Sequence, residues 1–255
     1  MDLGPFLCLL ALPCLAAPTY SAATVVNSAT GMPQLTPGAF ATVYGKDLAT
    51  GTHLLMAGDM PGGRLPIVLP GTGVSVFLDG LAAPIWYASP DQVNFIIPPD
   101  LVPGREAAFW LAVDGRHGPE VLVRLAAEAP GLFASNPVTA LAVRLDASRV
   151  DENNPAVPGD DIVLFATGLG STLPPVSYRE VAQGASPLLR LAEFRLLLNG
   201  LAVPPGRIRY AGAAPGFAGL YQINLWIPPG TPANPEIRIA LGPSISPAGL
   251  RLSVR

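Results

Sequence analysis

The sequence is poor in the residues that build reactive centres, and each shortage excludes a class of site. Its two cysteines, Cys8 and Cys14, both lie in an N-terminal apolar stretch. A chain processed beyond that stretch has no disulfide and no thiolate ligand, so apolar burial must stabilise it. The two histidines, His53 and His117, accompany no Gly-x-Ser-x-Gly elbow and are too few for a zinc site. We therefore predict a non-enzyme without a cofactor.

Charge is also scarce. Only 13% of the residues are charged, lysine occurs once, at Lys46, and the net charge is −3. This balance gives no electrostatic reason to expect nucleic acid or an anionic membrane as a partner. Glycine (27) and proline (30) are abundant instead, and they separate short apolar runs. That pattern is typical of all-β proteins.

The N-terminus indicates export. Leu3 to Ala17 is rich in leucine and alanine and is too short to span a bilayer comfortably. Cleavage after Ala17, Ala22 or Ala23 is sterically plausible, although Asp2 and the lack of lysine or arginine depart from the usual leader. We predict a signal peptide over 1–23, a secreted, cell-surface or periplasmic location, and no transmembrane segment in the mature chain.

An internal repeat organises the remaining sequence. Three pairs of segments match in order: 36–48 with 157–169, 74–82 with 194–202, and 87–99 with 210–229. The second copy of the last pair has a longer Gly/Ala/Pro loop. Each repeat then closes with a predicted hairpin, between 109–113 and 121–125 in the first and between 237–241 and 250–254 in the second. Self-similarity of this kind is the signature of repeated structural units.

The repeated segments have the periodicity of strands. Val74, Val76 and Leu78 alternate with polar or smaller residues, which places them on one face of a strand. Asp79-Gly80 and Asn199-Gly200 are type I′ turn signals. About seven short strands per repeat predict tandem immunoglobulin-like β-sandwiches, over 24–128 and 129–255, with the junction at Pro130-Gly131.

The motifs resemble one family over nearly the whole chain beyond the leader. The sequence is similar to the Solibacter (acidobacterial) uncharacterised C-terminal domain family, and each repeat resembles an IPT/TIG-type immunoglobulin-like domain. This resemblance implies the fold and export, and it implies no particular activity. The segments that carry it are 37–48, 83–98, 129–133, 154–156, 166–170 and 210–224.

Two sets of residues are candidate ligand contacts. Gln92 and Asn94 share one strand face, as do Gln222 and Asn224, and paired amides can bind the hydroxyls of a sugar. Because the pair recurs in both repeats, a role in satisfying neighbouring polar groups is favoured. Trp86 and Trp226 can stack on sugars, whereas core or inter-repeat packing is the alternative.

The glycine-rich segment 211–219 is a candidate for close approach of a partner, although a structural turn is favoured.

One acidic cluster is a candidate calcium site. Hard oxygen ligands near the junction of the repeats can bind Ca²⁺. The spacing matches no EF-hand loop, and a solvated acidic turn is the alternative. The candidate ligands are Asp151, Glu152, Asp160 and Asp161.

These observations together predict a secreted, non-catalytic binding or cell-surface architecture module. An extracellular polysaccharide or an envelope protein is the expected partner. A structural spacer or tether is one alternative. A hydrolase with an unrecognised carboxylate pair is the other, because such pairs leave no short sequence signature. The sequence does not predict an oligomeric state.

Overall fold

A computed structural model describes residues 16–255 as an almost entirely β structure with five three-residue 3-10 turns. The strands of the first half are β1 (Val25–Asn27), β2 (Phe40–Tyr44), β3 (His53–Leu54), β4 (Val74–Leu78), β5 (Leu81–Ala82), β6 (Ile85–Ala88), β7 (Gln92–Ile96), β8 (Glu106–Val113), β9 (Arg116–His117) and β10 (Val121–Arg124). The strands of the second half are β11 (Gly131–Leu132), β12 (Ala134–Asn136), β13 (Thr139–Ala140), β14 (Ala142–Arg144), β15 (Arg149–Val150), β16 (Asp161–Thr167), β17 (Ser186–Pro187), β18 (Phe194–Leu198), β19 (Leu201–Ala202), β20 (Ile208–Ala213), β21 (Tyr221–Trp226), β22 (Ile237–Leu241) and β23 (Ser244–Ile245). The 3-10 turns are Ala22–Thr24, Ala57–Asp59, Pro61–Gly63, Leu191–Glu193 and Pro205–Arg207.

The first half of the chain forms a sandwich of two antiparallel sheets. One sheet has the order β1-β2-β7-β6-β3, and the other has β10-β8-β4-β5 with β9 added to β8. Alternate residues of both sheets point inward, so that Val43, Phe95, Val76 and Phe109 share one buried cluster. The core therefore lies between the sheets, as the period-2 pattern of β4 predicts.

The second half repeats this layout. Its first sheet has the order β15-β14-β16-β21-β20-β17, and its second has β19-β18-β22-β23. Leu164, Ile223, Leu196 and Ile239 belong to a separate buried cluster between these sheets. The sheet order β2-β7-β6 thus recurs as β16-β21-β20, and the pair β4-β8 recurs as β18-β22. The predicted tandem of immunoglobulin-like sandwiches is confirmed.

The two copies also share their turns. Asp79-Gly80 and Asn199-Gly200 both have positive φ at both residues, 47° and 78° in the first turn and 49° and 78° in the second. In each turn the first residue forms hydrogen bonds, through its side chain and its backbone N–H, with the backbone near the start of the strand that it faces. Asp79 exchanges two hydrogen bonds of 2.8 Å with the backbone of Ala108, and Asn199 exchanges two of 2.8 Å with that of Glu236. The recurrence explains why an Asx-Gly pair stands at both positions.

The strands differ from the sequence prediction in number and in one hairpin. Residues 16–124 form ten strands and residues 125–255 form thirteen, because short edge strands such as β9 leave no apolar pattern. Phe109 pairs with Val121, as predicted for the first closing hairpin. In the second repeat Leu241 pairs with Ser244, and the segment 250–254 meets the start of that strand, where the Ile237 N–H donates to the Leu250 carbonyl at 2.9 Å. The turn closes early because Gly242 takes φ 55° and Pro243 follows it.

The segment before β1 packs into the first sandwich. Thr19 pairs antiparallel with Lys46, and the Tyr20 ring lies edge-on to Phe109 with centroids 5.3 Å apart. The Tyr20 hydroxyl accepts the N–H of Leu111 at 2.8 Å and donates to the carbonyl of Pro119 at 2.7 Å. The predicted leader extends to residue 23 and therefore includes these packed residues, and its bounds stay a prediction. Residues 1–15 of that leader lie outside the described part of the chain.

None of the short helices within residues 16–255 has the length or the apolar character needed to span a bilayer.

The contacts of Tyr20 predict a stability loss on removal of its hydroxyl. Tyr20→Phe leaves the N–H of Leu111 and the carbonyl of Pro119 without this partner, and an unsatisfied group of this kind costs about 1–3 kcal/mol. Urea unfolding should show that loss at neutral pH. Tyr44→Phe is the matched control, since Tyr44 is 47% exposed. Equal losses in both variants would contradict the assignment.

The same hydroxyl predicts an alkaline sensitivity. Burial raises the pKa of Tyr20 from 10.0 to about 12, although the bond from the Leu111 N–H acts in the opposite direction. In the unfolded chain the phenol ionises near 10.0, so the contribution of Tyr20 to stability is complete below that pH and is lost between 10.0 and about 12. Unfolding free energies measured across this window should fall more steeply for the natural chain than for Tyr20→Phe. Parallel slopes would contradict the prediction.

Candidate functional site

The two sandwiches meet in a small apolar cluster, here called the seam. Its buried members are Phe40, Leu65 and Ile96 from the first sandwich and Ala218 from the second. Partly buried side chains from both sides cover them, including Trp86 and Phe133. Phe40 lies edge-on to Trp86 and to Phe133, with ring centroids 5.5 Å and 6.5 Å apart. The seam is therefore a packed contact that fixes one sandwich on the other.

A buried threonine joins the backbones on the two sides of the seam. Thr167, the last residue of β16, is fully buried. Its hydroxyl accepts the N–H of Phe40 at 2.9 Å and donates to the carbonyl of Gly219 at 2.8 Å. One side chain thus satisfies a donor of the first sandwich and an acceptor of the second. Loss of either bond would leave a buried polar group unpaired.

The glycine-rich segment 211–219 contacts the first sandwich at Gly219, which agrees with the structural role that the sequence favours; approach of a separate partner stays a prediction. Gly219 has φ 68°, and a Cβ there would lie 3.0 Å from the Phe40 ring and 3.3 Å from the Ile96 side chain. The adjoining Ala218 is buried in the seam. Glycine is needed at 219 both for its backbone conformation and for space.

The chain crosses between the sandwiches beside a second polar contact. Asn27 is 1% exposed, and its side-chain amide donates to the carbonyl of Ala129 at 2.9 Å. The same carbonyl would lie 1.9 Å from a Cβ on Gly168, whose φ is 78°. The carbonyl of Gly168 accepts the N–H of Ala129 at 2.9 Å. The crossing segment therefore lies tightly between the two sheets that it connects.

A segment of the second sandwich that we call loop 172–190, which includes the short strand β17, reaches over the first sandwich. Leu65 and Arg179 are paired through their backbones, with the Leu65 N–H donating to the Arg179 carbonyl at 2.9 Å. The Arg179 guanidinium donates back to the Leu65 carbonyl at 2.7 Å. The Tyr178 hydroxyl donates to the carbonyl of Ala82. These bonds hold the loop as one wall of an open cleft.

The cleft lies between the two sandwiches and has a volume of about 560 Å³. Leu65 and Ile96 of the seam form part of its floor. Its lining combines cationic, anionic and aromatic side chains from both sandwiches. The main ones are Arg64, Asp100, Tyr178, Arg179, Glu180 and Phe217.

The charges in the cleft are balanced. Two guanidinium groups and two carboxylates line it, so it offers both donors and acceptors without a strong net field. Burial raises the pKa of Tyr178, with Asp100 adding to the rise and Arg179 and Arg64 opposing it. Tyr178 therefore remains neutral at physiological pH, and its proton is kept for the bond to the Ala82 carbonyl. Phe217 is 43% exposed and adds an apolar ring at the edge of the cleft.

The paired amides bond within their own strands. The Gln92 side chain donates to the Asn94 side chain at 2.8 Å, and Gln222 donates to Asn224 at 2.7 Å. Asn94 also accepts the Thr42 hydroxyl at 3.1 Å. The same bond in both repeats agrees with a device of the fold. Ligand binding by these amides stays a prediction.

The tryptophans have separate environments. Trp86 lies in the seam, with its ring 5.9 Å from that of Phe217 at the edge of the cleft. The Trp226 ring is covered by the guanidinium of Arg207 at 3.8 Å, a cation–π contact. Trp86 is therefore the tryptophan that neighbours the cleft, whereas one face of Trp226 is already occupied.

The structure does not bring the four predicted calcium ligands together as a ligand set. Asp160 pairs with Arg144 at 3.3 Å, and Asp161 pairs with Arg209 at 3.5 Å. Asp151 accepts two backbone N–H groups of its own turn, and Glu152 is exposed. Across residues 16–255, no group of three or more His, Cys, Asp or Glu side chains could hold a metal ion.

Sequence reasoning missed the residues that build the cleft. Arg64, Asp100 and the 172–190 loop carry no motif, and only the tertiary packing of the sandwiches brings them together. Thr167 stands in a motif that the sequence shows, Ala166-Thr167-Gly168, which reasoning from turns alone treats as a loop. The sequence feature that could identify Thr167 is a threonine directly before a glycine at the end of a predicted strand.

Comparisons with known proteins give distant structural matches only. No protein-family model matches the sequence, and no curated protein matches it. A surface glycan-binding protein from Prevotella bryantii matches with 10% identity and a TM-score of 0.28 over 93% of this chain and 42% of its own. A surface glycan-binding protein of Bacteroides ovatus, in complex with a mixed-linkage heptasaccharide, matches with 12% identity and a TM-score of 0.30 over 88% of this chain and 43% of its own. Tandem immunoglobulin repeats of Dlar match with 10% identity and a TM-score of 0.24 over 94% of this chain and 96% of their own.

This chain spans less than half the length of the two glycan-binding proteins. At these identities and TM-scores none of the likenesses says what this chain binds.

The Thr167 bridge predicts a specific stability loss. Thr167→Val keeps the shape of the side chain and removes the hydroxyl, so the Phe40 N–H and the Gly219 carbonyl lose their shared partner. We expect a loss of about 1–3 kcal/mol in the free energy of unfolding. Thr52→Val, at an exposed threonine, is the matched control and should change it by less than about 0.5 kcal/mol. A Thr167→Val chain as stable as the natural one would contradict the bridge.

Proposed function

We propose that this chain is a secreted, non-catalytic module that binds an extracellular polysaccharide in the cleft between its two sandwiches. The observation that carries the proposal is the lining of that cleft. Side chains of both sandwiches contribute, and loop 172–190 is held in place by bonds to the first sandwich. The ligand therefore meets a surface that exists before binding, which lowers the entropic cost of association.

The chemistry of the lining favours a neutral, hydroxyl-rich ligand. A sugar hydroxyl both donates and accepts, and the lining of the cleft includes the guanidinium of Arg64 and the carboxylate of Asp100 among other polar groups. The Phe217 ring can pack against the apolar face of a pyranose. Balanced charge disfavours a polyanion, because the carboxylates would oppose it.

The cleft has dimensions that suit part of a chain. A volume of about 560 Å³ falls within the range of small-ligand sites, roughly 300–1,000 Å³. Because the cleft is open, a polysaccharide can pass through it while only a few of its units are bound. This favours an internal segment of a polymer over a small metabolite.

A structural spacer is the second candidate. The seam favours it, since the Thr167 bridge and the Asn27 contact hold the sandwiches in one relative position. A rigid pair of sandwiches can present or tether a neighbouring protein.

We also propose that the chain belongs to the Solibacter C-terminal domain family, on the motifs of segments 37–48 and 210–224, and that it acts outside the cytoplasm.

Binding is tested first by a glycan array and then by calorimetry on the purified full chain with the best oligosaccharide. Three variants remove one contact each from the cleft: Arg64→Ala, Asp100→Asn and Phe217→Ala. We expect each to raise the Kd by about tenfold or more, which corresponds to about 1.4 kcal/mol. The melting temperature should change little, because Arg64, Asp100 and Phe217 are exposed.

Three controls match these variants in chemistry and lie outside the cleft: Arg149→Ala, Asp47→Asn and Tyr44→Ala. They should bind as the natural chain does. An array without any bound glycan would contradict the binding proposal and leave the spacer as the better account. Release of shorter products from a bound oligosaccharide would instead show hydrolysis, with Asp100 and Glu180 as the carboxylates to substitute next.

A further inference from the structure

We infer that the export leader is cut after Ala16, so that the processed chain begins at Ala17 and keeps residues 18–24 as part of the first sandwich. The inference rests on the export that the proposed function includes. It concerns the processing site, which the sequence alone leaves open among several small residues.

Residues 18–24 are built into the fold by their backbone. The Thr19 N–H donates to the Lys46 carbonyl at 3.0 Å, and the Lys46 N–H donates to the Thr19 carbonyl at 3.0 Å. The next turn, Ala22–Thr24, leads directly into β1, which pairs with β2. The segment therefore extends the same sheet edge that β1 occupies.

Tyr20 anchors the segment by its side chain. Its hydroxyl bonds to the N–H of Leu111 and to the carbonyl of Pro119, in β8 and in the turn that follows β9. Its ring packs edge-on to Phe109, a fully buried core residue. Removal of Tyr20 would expose this part of the core and leave the Leu111 N–H without that partner.

Two glycines show that the rest of the sandwich is shaped around this segment. A Cβ on Gly45 would lie 2.2 Å from the Thr19 carbonyl oxygen. A Cβ on Gly118 would lie 2.6 Å from the Tyr20 ring and 2.9 Å from the Pro18 carbonyl oxygen. Neither glycine has φ in the left-handed region. Space for residues 18–20 is therefore what glycine provides at both positions.

The residue preference of leader cleavage then selects the peptide bond that is cut. Leader cleavage sites carry small residues at the first and third positions before the cut. Cuts after Ala17 and Ala22 place Leu15 and Tyr20 at the third position, which breaks the rule. A cut after Ala23 obeys it with Ser21, and a cut after Ala16 obeys it with Cys14. The cut after Ala23 removes Thr19 and Tyr20, whereas the cut after Ala16 keeps them in the mature chain.

The test is the intact mass of the exported protein, expressed with its own N-terminus in a bacterium that has a periplasm. We expect a periplasmic chain that begins at Ala17. Ala16→Leu should abolish this product and accumulate the uncut precursor. Ala23→Leu is the matched control and should be processed as the natural chain is, because Ala23 is exposed and follows the cut.

Each other result overturns the inference in a distinguishable way. A mature chain that begins at Thr24, or normal processing of Ala16→Leu, contradicts the site while export stands. A chain that stays uncut in the cytoplasm contradicts export itself, and the site with it. Glycan binding is measured separately on the purified chain, so the cleft proposal can fail or hold independently of both outcomes.

Discussion

One buried hydroxyl determines how the two halves of this protein sit on each other. Without Thr167, the Phe40 N–H at the start of β2 and the Gly219 carbonyl in the glycine-rich segment would both lose a buried partner. The bridge places Gly219 against the Phe40 ring, and this contact needs a residue without a side chain. The position of the seam then fixes the cleft, because Leu65 and Ile96 belong to both. The candidate site thus depends on a contact that touches no ligand.

This arrangement differs from a string of independent domains. Each sandwich has its own apolar core, yet polar side chains of one satisfy backbone groups of the other at Ala129, Leu65 and Ala82. Interfaces between domains of one chain commonly allow relative motion unless they are large and apolar. Here the apolar part is small, and hydrogen bonds to buried backbone groups supply the orientation. A chain without disulfides in its folded part can be rigid in this way.

The sequence predicts what repeats and misses what does not. The Asx-Gly turns at Asp79 and Asn199 occur in both repeats, as do the Pro-Gly turns that open the matching segments, Pro37-Gly38 and Pro158-Gly159. The alternation in β4 and β18 also occurs twice, so periodicity and turn chemistry predict both sandwiches. Paired amides such as Gln92 and Asn94 also recur, and in the structure they bond to each other as fold elements. Arg64, Asp100 and Tyr178 occur once, in loops, and distant segments meet only after folding. The predicted leader includes Tyr20 because small residues surround it, and its partners Leu111 and Pro119 lie 91 and 99 residues further along the chain.

The central claim is that the seam holds the two sandwiches as one rigid unit. Native-state hydrogen exchange of the Phe40 amide tests it most directly, because the acceptor of that amide is the Thr167 hydroxyl on the other sandwich. The account predicts that this amide exchanges as slowly as core strand amides such as that of Val93, through global unfolding. Exchange of Phe40 at the rate of an exposed loop, while Val93 stays protected, would show that the sandwiches separate in the native state and would contradict the account.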